Sequence, residues 1–226
     1  MRFQIVLAAF VLSGVAASAQ SGPPATQEVV ARALARVPEP AKGKVEPTWD
    51  SVRANYHTPQ WWVDAKFGIM MHWGLYAVPA HGSEWYGLHM YNNPEIAKWH
   101  QEHWGAQDKF GYKDFIPLFT AAKFQPDAWA ALFKEAGAKF VILTAKHHDG
   151  FALWDSKTNK WNAKNLGPKR DLIADLGAAV RRAGLKFGVS DHSIEHFTFI
   201  REAAAPQNDL RDPQWKDFYA VADRGS

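Results

Sequence analysis

"AKFVILTAKHH", from Ala138 to His148, is the stretch whose reading decides the fold. Lys139-Phe140 opens into a short apolar run that closes on two adjacent histidines. Two other stretches share this plan: "AKFGIMMHWG" from Ala65 to Gly74 and "LKFGVSDH" from Leu185 to His192. Apolar runs of this length suit strands buried in a parallel sheet. Helices are expected just before the second and third. Pro126 fits a first helical turn, and "PDAWAALFKEA" sets Trp129, Leu132 and Phe133 on one face. Asp171 is a suitable N-cap for "LIADLGAAVRRA". Gly137 and Gly184 fall where a left-handed helix terminator is wanted. The joins "EAGAKF" and "RAGLKF" are near copies, so the repeating unit is helix, short turn, buried strand. That is the unit of an α/β fold.

Each expected strand closes on histidine: His72, His147 with His148, and His192. In a β/α barrel, functional side chains collect at the C-terminal ends of the strands. Three strands in one register with histidine at that end point to one shared site. Hydroxyl-rich ligands suit such a site, because imidazole and carboxylate groups bond hydroxyls while aromatic rings cover C–H faces. "GSEWYG", Gly82 to Gly87, adds Glu84, Trp85 and Tyr86 after the first strand and reads as a loop between flanking glycines. Metal binding is the rival. Successive strand residues face opposite ways, so His147 and His148 share a site only if the strand gives out beside them. His100 and His103 stand at i, i+3 on a helix, where a solvated or core-edge face accounts for them. No metal and no cofactor are expected.

The remainder bounds these readings. The 226 residues carry a net charge of +3 and are 47% hydrophobic, which fits a chain with a real core and excludes a disordered one. No basic stripe suggests nucleic acid as a partner. Cysteine is absent, so disulfides, thiolate metal sites and cysteine nucleophiles are excluded. Of the 11 tryptophans, Trp49, Trp61, Trp62, Trp73, Trp85, Trp99 and Trp104 crowd into one segment with six histidines. Residues 1–19 have an early Arg2, an apolar run and the small-residue signal Ala17-Ser18-Ala19. They read as a cleaved signal peptide, so the mature chain is expected to be secreted or periplasmic, with no membrane span. Residues 20–48 read as a linker with a short helix in "TQEVVARALARV", and 49–226 as the N-terminal part of a β/α-barrel domain, truncated at its C-terminal side.

Four stretches carry a resemblance: "PTWDSVRANYHTPQWWVDAKFGIMMHWGLYAVPA", "EWYG", "FTAAKFQPDAWAALFKEAGAKFVILTAKHHDGFALWDS" and "WNAKNLGPKRDLIADL". Together, over roughly Glu46 to Ile200, they resemble the N-terminal half of the exo-acting, retaining α-L-fucosidases. The resemblance implies the N-terminal portion of a (β/α)8-type barrel and a fucosylated glycan as partner. It implies that His72, His147 and His148 bond fucose hydroxyls and that Glu84 and Trp85 line the sugar subsite. Asp149 and Gly150 are expected to shape the turn, and Trp154 with Lys169-Arg170-Asp171 to be structural. Many members carry Tyr-Tyr-Ser after the third strand, whereas this chain has Ser190-Asp191-His192-Ser193, so Asp191 or His192 takes the tyrosine's place.

Retention needs two carboxyl groups about 5–5.5 Å apart. The family's nucleophile is an aspartate after a fourth strand, and its acid/base lies further on. Three strands cannot close a barrel. The expectation is therefore a truncated chain with an open sheet edge and a tendency to aggregate, both catalytic carboxyls lying past Ser226 and none within the chain. The alternatives are a non-catalytic fucose-binding relative and a metal-dependent α/β hydrolase.

Overall fold

The computed structural model describes residues 31, 35, 43–200 and 207–220. The expected signal peptide and all but two residues of the expected 26–37 helix lie outside them. Two compact units divide at His57. In the first, helix α1 (Trp49–Asn55) is capped by Thr48, whose side chain accepts from the Ser51 N–H.

The second unit runs from Thr58. Its elements are α2 (Gln60–Ala65), strand β1 (Gly68–Met71), α3 (Tyr86–Asn92), α4 (Pro94–His103), α5 (Pro126–Glu135) and β2 (Phe140–Lys146). Then come α6 (Leu172–Arg182), β3 (Lys186–Asp191), and the short helices α7 (His196–Phe199) and α8 (Lys216–Tyr219). The strands form one parallel sheet in the order β1-β2-β3, with Gly68 opposite Phe140 and Phe140 opposite Lys186. The helix-to-strand repeat is thus present, as a partial α/β sheet.

The local signals act where the sequence puts them. Asn93 caps α4 through the Glu95 and Ile96 N–H groups, with Pro94 at the first helical position. Gly137 and Gly184 end α5 and α6 at φ +89° and +83°, which side-chain-bearing residues rarely adopt. Helix α6 presents Leu172, Leu176, Ala179 and Val180 to the core, at helical spacing. Its Gly177 admits the Phe187 ring, since a Cβ there would stand 2.9 Å from it.

Two expectations change. The strands are not buried on both faces: Met70 is 54% and Val189 52% exposed. Strands β1 and β3 each pair on one edge only among the described residues. The face that carries Met70 also carries Phe140, Ile142 and Gly188, and these last three line a cavity of about 750 Å³ with Trp61 and Trp62. "GSEWYG" is not a loop throughout, because Tyr86 opens α3 and Gly87 lies inside it. A Cβ on Gly87 would come 3.0 Å from the Tyr112 ring, so close packing explains this glycine. Helix α8 ends at Tyr219, with Ala220 at φ +47°.

Asp171 holds two groups. Its Oδ1 accepts from the Ala174 N–H at 2.8 Å and its Oδ2 from the Asp155 N–H at 3.0 Å. Asp171→Ala therefore removes the α6 cap and leaves the Asp155 N–H without its acceptor. The expected loss is about 1–2 kcal/mol, read as a lower urea midpoint at unchanged m. Asp171→Asn, which keeps one acceptor oxygen, is expected to recover most of it.

Candidate functional site

The C-terminal ends of the three strands converge on a cluster of imidazoles. His72 follows β1, His147 and His148 follow β2, and His192 follows β3. Ring centroids are 5.4 Å apart for His72–His147, 5.0 Å for His147–His192 and 4.7 Å for His148–His192. His148 Nε2 lies 3.2 Å from His192 Nδ1 and 3.3 Å from a Glu195 carboxylate oxygen. His147 and His148 are buried, His192 is half-buried and His72 is exposed, so the cluster opens on one side.

The objection from alternation is removed because β2 ends at Lys146. The ladder to β3 is irregular between Thr144 and Lys146, and Ala152 doubles back to bridge Lys146. Asp149 accepts from the Phe151 N–H at 3.1 Å, and Gly150 turns at φ +86°. A Cβ at Gly150 would stand 2.4 Å from the His196 ring, so the turn requires glycine for space as well as for angle. Beyond the strand, both histidines swing to the same side.

Trp85 walls the cluster, its ring centroid 5.3 Å from His148 and 5.2 Å from Phe199. Glu84 precedes it, half-buried. Asp191 is exposed and stays out of the cluster. Its Oδ1 accepts from the Ser193 N–H at 2.8 Å and from the Ser193 hydroxyl, which shapes the turn after β3. His192, one residue on, supplies the ring instead.

Two participants were not read from sequence. Tyr76, in the turn of helix after β1, sets its ring 5.4 Å from His147. Its buried hydroxyl has no partner among the described residues, and burial beside Asp149 and Glu84 holds it far above the usual phenol range. Tyr112 donates to Asp149 at 2.7 Å and so anchors the turn from 37 residues away. Proximity to the His-Trp-Gly stretch could have flagged Tyr76, whereas nothing local flags Tyr112.

His100 and His103 are structural. Nε2 of His100 donates to the Phe110 carbonyl at 2.8 Å, so its Nδ1 accepts from the Tyr86 hydroxyl at 2.7 Å. His103 bonds the Trp99 carbonyl and stacks on the Trp99 ring. Most of the tryptophan excess is structural too. Trp73 packs on Phe119, Phe124 and Trp129, and Trp161 on Trp215.

What can the cluster do? Among the described residues, Nδ1 of both His147 and His148 is buried with no hydrogen-bond partner. Unpaired buried polar atoms cost free energy, and a site that keeps them is built for something that supplies partners. His147 is driven down to about 3, first by burial and then by His148, His192 and His72. Burial also lowers His148. The rings are therefore neutral near pH 7, each offering one N–H donor and one acceptor nitrogen to a ligand. Asp149 is pushed up to about 6 by burial, held back by its bonds to Tyr112 and Phe151.

Acid stability follows. A histidine lowered in the fold binds its proton more readily when unfolded, so its contribution is present above the unfolded value near 6.5. For His147 that stability drains as pH falls from about 6.5 toward about 3. Asp149, raised from 3.8 to about 6, and Asp209, raised by burial as well, run the other way and partly offset it. His100, His148 and His196 are lowered as well, so the histidines prevail. Stability is expected to fall on acidification from pH 7 to 5. His147→Gln is expected to flatten the pH 4–6 slope by up to about 1.4 kcal/mol per pH unit, measured by urea midpoints.

The comparisons agree on one family. The family model described as alpha-L-fucosidase matches residues 32–222. The tissue alpha-L-fucosidase of Mus musculus is 43% identical over 160 residues, 70% of this chain and 35% of that protein. That of Homo sapiens is 42% identical over 154 residues, covering 67% of this chain and 32% of its own length. The structure of a Thermotoga maritima alpha-fucosidase in complex with fucose aligns with a TM-score of 0.62 and 39% identity, over 77% of this chain and 45% of that one. The chain thus spans about a third of the length of the curated relatives it matches. It belongs to the α-L-fucosidase family.

Proposed function

We propose that the protein is an exo-acting α-L-fucosidase of the retaining type and that this chain carries the part of the site that holds the sugar. The observation that carries the reading is the convergence of His72, His147, His148 and His192, with two buried Nδ1 atoms that have no partner among the described residues beside the Trp85 ring. Neutral imidazoles can donate to one hydroxyl and accept from the next, which suits the vicinal hydroxyls of a sugar. Trp85 and Tyr76 offer apolar faces to its C–H groups. The partner is a glycan with terminal α-L-fucose, and the fold is the N-terminal part of a (β/α)8 barrel. The apolar run and small-residue signal in residues 1–19 support export to the periplasm or the exterior.

Retaining hydrolysis proceeds through a covalent glycosyl-enzyme and takes a nucleophilic carboxylate plus a carboxylic acid. The acidic groups around the cluster have other work. Asp149 is buried under Tyr112, Asp191 shapes the Ser193 turn, and Glu195 pairs with His148. The proposal therefore assigns the reacting pair to the length of the relatives that this chain does not span.

L-Fucose titrated into the chain by calorimetry is expected to bind. His148→Ala is expected to weaken binding roughly tenfold or more, the cost of one lost hydrogen bond in a buried site. Trp85→Ala is expected to weaken it as well, while His103→Ala leaves it unchanged. Equal affinity in His148→Ala would sink the sugar reading. Turnover of an aryl α-L-fucoside by this chain, abolished by Glu84→Gln, would move catalysis into it and overturn the assignment of the pair.

A further inference from the structure

The geometry points to a second ligand for the same imidazoles: we propose that His147, His148 and His192 bind one zinc- or copper-class divalent ion, which excludes the sugar. One ring nitrogen from each of the three lies within 4.8 Å of the other two. His148 Nε2 and His192 Nδ1 are already 3.2 Å apart. Two imidazole nitrogens bound at 2.0–2.1 Å to a tetrahedral ion stand about 3.3 Å apart, so this pair has the required span. Small rotations bring the His147 nitrogen in. A Glu195 oxygen stands 3.3 Å from His148 Nε2 and can serve as a fourth ligand or fix the ring.

Access favours an ion as well. The open side, at half-buried His192 and exposed His72, gives an ion a way in. The donor set also decides its class. Imidazole nitrogens with at most one carboxylate suit zinc, copper or nickel, whereas calcium and magnesium require oxygen cages. Bound metal histidines usually donate their other ring nitrogen to an acceptor, and His147 Nδ1 has none among the described residues. The site is therefore a reversible one, an inhibitory mode rather than a resident cofactor.

The ion site stands on this geometry alone, while the competition rests on the sugar reading above. Untagged protein, stripped with chelator, is titrated with zinc chloride by calorimetry. One ion per chain is expected, with His192→Ala weakening it at least tenfold, His103→Ala without effect, and calcium chloride giving no binding. Cobalt(II) in place of zinc is expected to give the intense visible absorption of a four-coordinate nitrogen site. This reads the unsubstituted chain should His192→Ala fail to fold. Absence of 1:1 binding, or affinity indifferent to His192→Ala with no cobalt signature, overturns the proposal. Saturating L-fucose is expected to raise the apparent zinc Kd. Should zinc bind at the cluster while fucose neither binds nor competes, the sugar reading falls and the ion site stands. Should fucose bind and zinc not, the reverse holds.

Discussion

A strand turns successive side chains to opposite faces, so two adjacent histidines can serve one site only where the strand gives out just before them. Everything at the open end of this sheet depends on β2 meeting that condition at Lys146. The chain beyond it is bent by the Gly150 turn and held by Asp149, whose carboxyl is gripped between the Phe151 N–H and the Tyr112 hydroxyl. The Leu153 N–H then bonds the Ala145 carbonyl and ties the returning chain against the strand it has just left. The Asp149 carboxyl gains two hydrogen bonds and still titrates near 6, so burial outweighs them. That is the cost of fixing a turn inside the core rather than at its rim.

The parts of this fold legible in the sequence are those decided within a few residues. Apolar runs announced the three strands. Pro126, Asp171, Gly137 and Gly184 announced the ends of the helices between them, because caps and left-handed terminators are local chemistry. His72, His147, His148 and His192 could be listed for the same reason, since each sits at a strand end. Their convergence could not, because it depends on where β2 stops. That is fixed by Tyr112, which is 37 residues from Asp149. The knot of Tyr91 and Tyr219 on buried Asp209 was equally invisible, as Tyr91 and Asp209 are separated by 118 residues. Of the crowded tryptophans, Trp73 and Trp104 pack against other aromatic rings, Trp99 stacks on His103, and Trp85 faces the imidazole cluster.

Keeping the imidazoles neutral and close has consequences for selectivity. Four rings within reach of one another would repel if charged, and burial of His147 and His148 disfavours charge further. The same neutrality that lets a ring both donate to and accept from hydroxyls frees a lone pair for a metal ion. A sugar pocket made of histidine thus carries chelation as a built-in liability. The asymmetry of exposure, with two rings buried and His72 at the mouth, keeps one side of the cluster open.

The choice between Asp191 and His192 shows how narrow the margin is. Lys146 lies opposite Asp191 in the ladder, and the His192 N–H donates to the Lys146 carbonyl at 3.0 Å. That last bond pins β3 so that the residue after its end, rather than its end, meets His148. A slip of one residue would exchange every side chain of β3 between faces. It would bring a carboxylate into the place of an imidazole beside His148. The Asp191–Ser193 turn opposes such a slip, because it consumes the carboxylate where it now stands. Strands β2 and β3 therefore solve the same problem in the same way: each ends in a side-chain-stabilised turn, and each delivers its histidine from just past the last ladder residue.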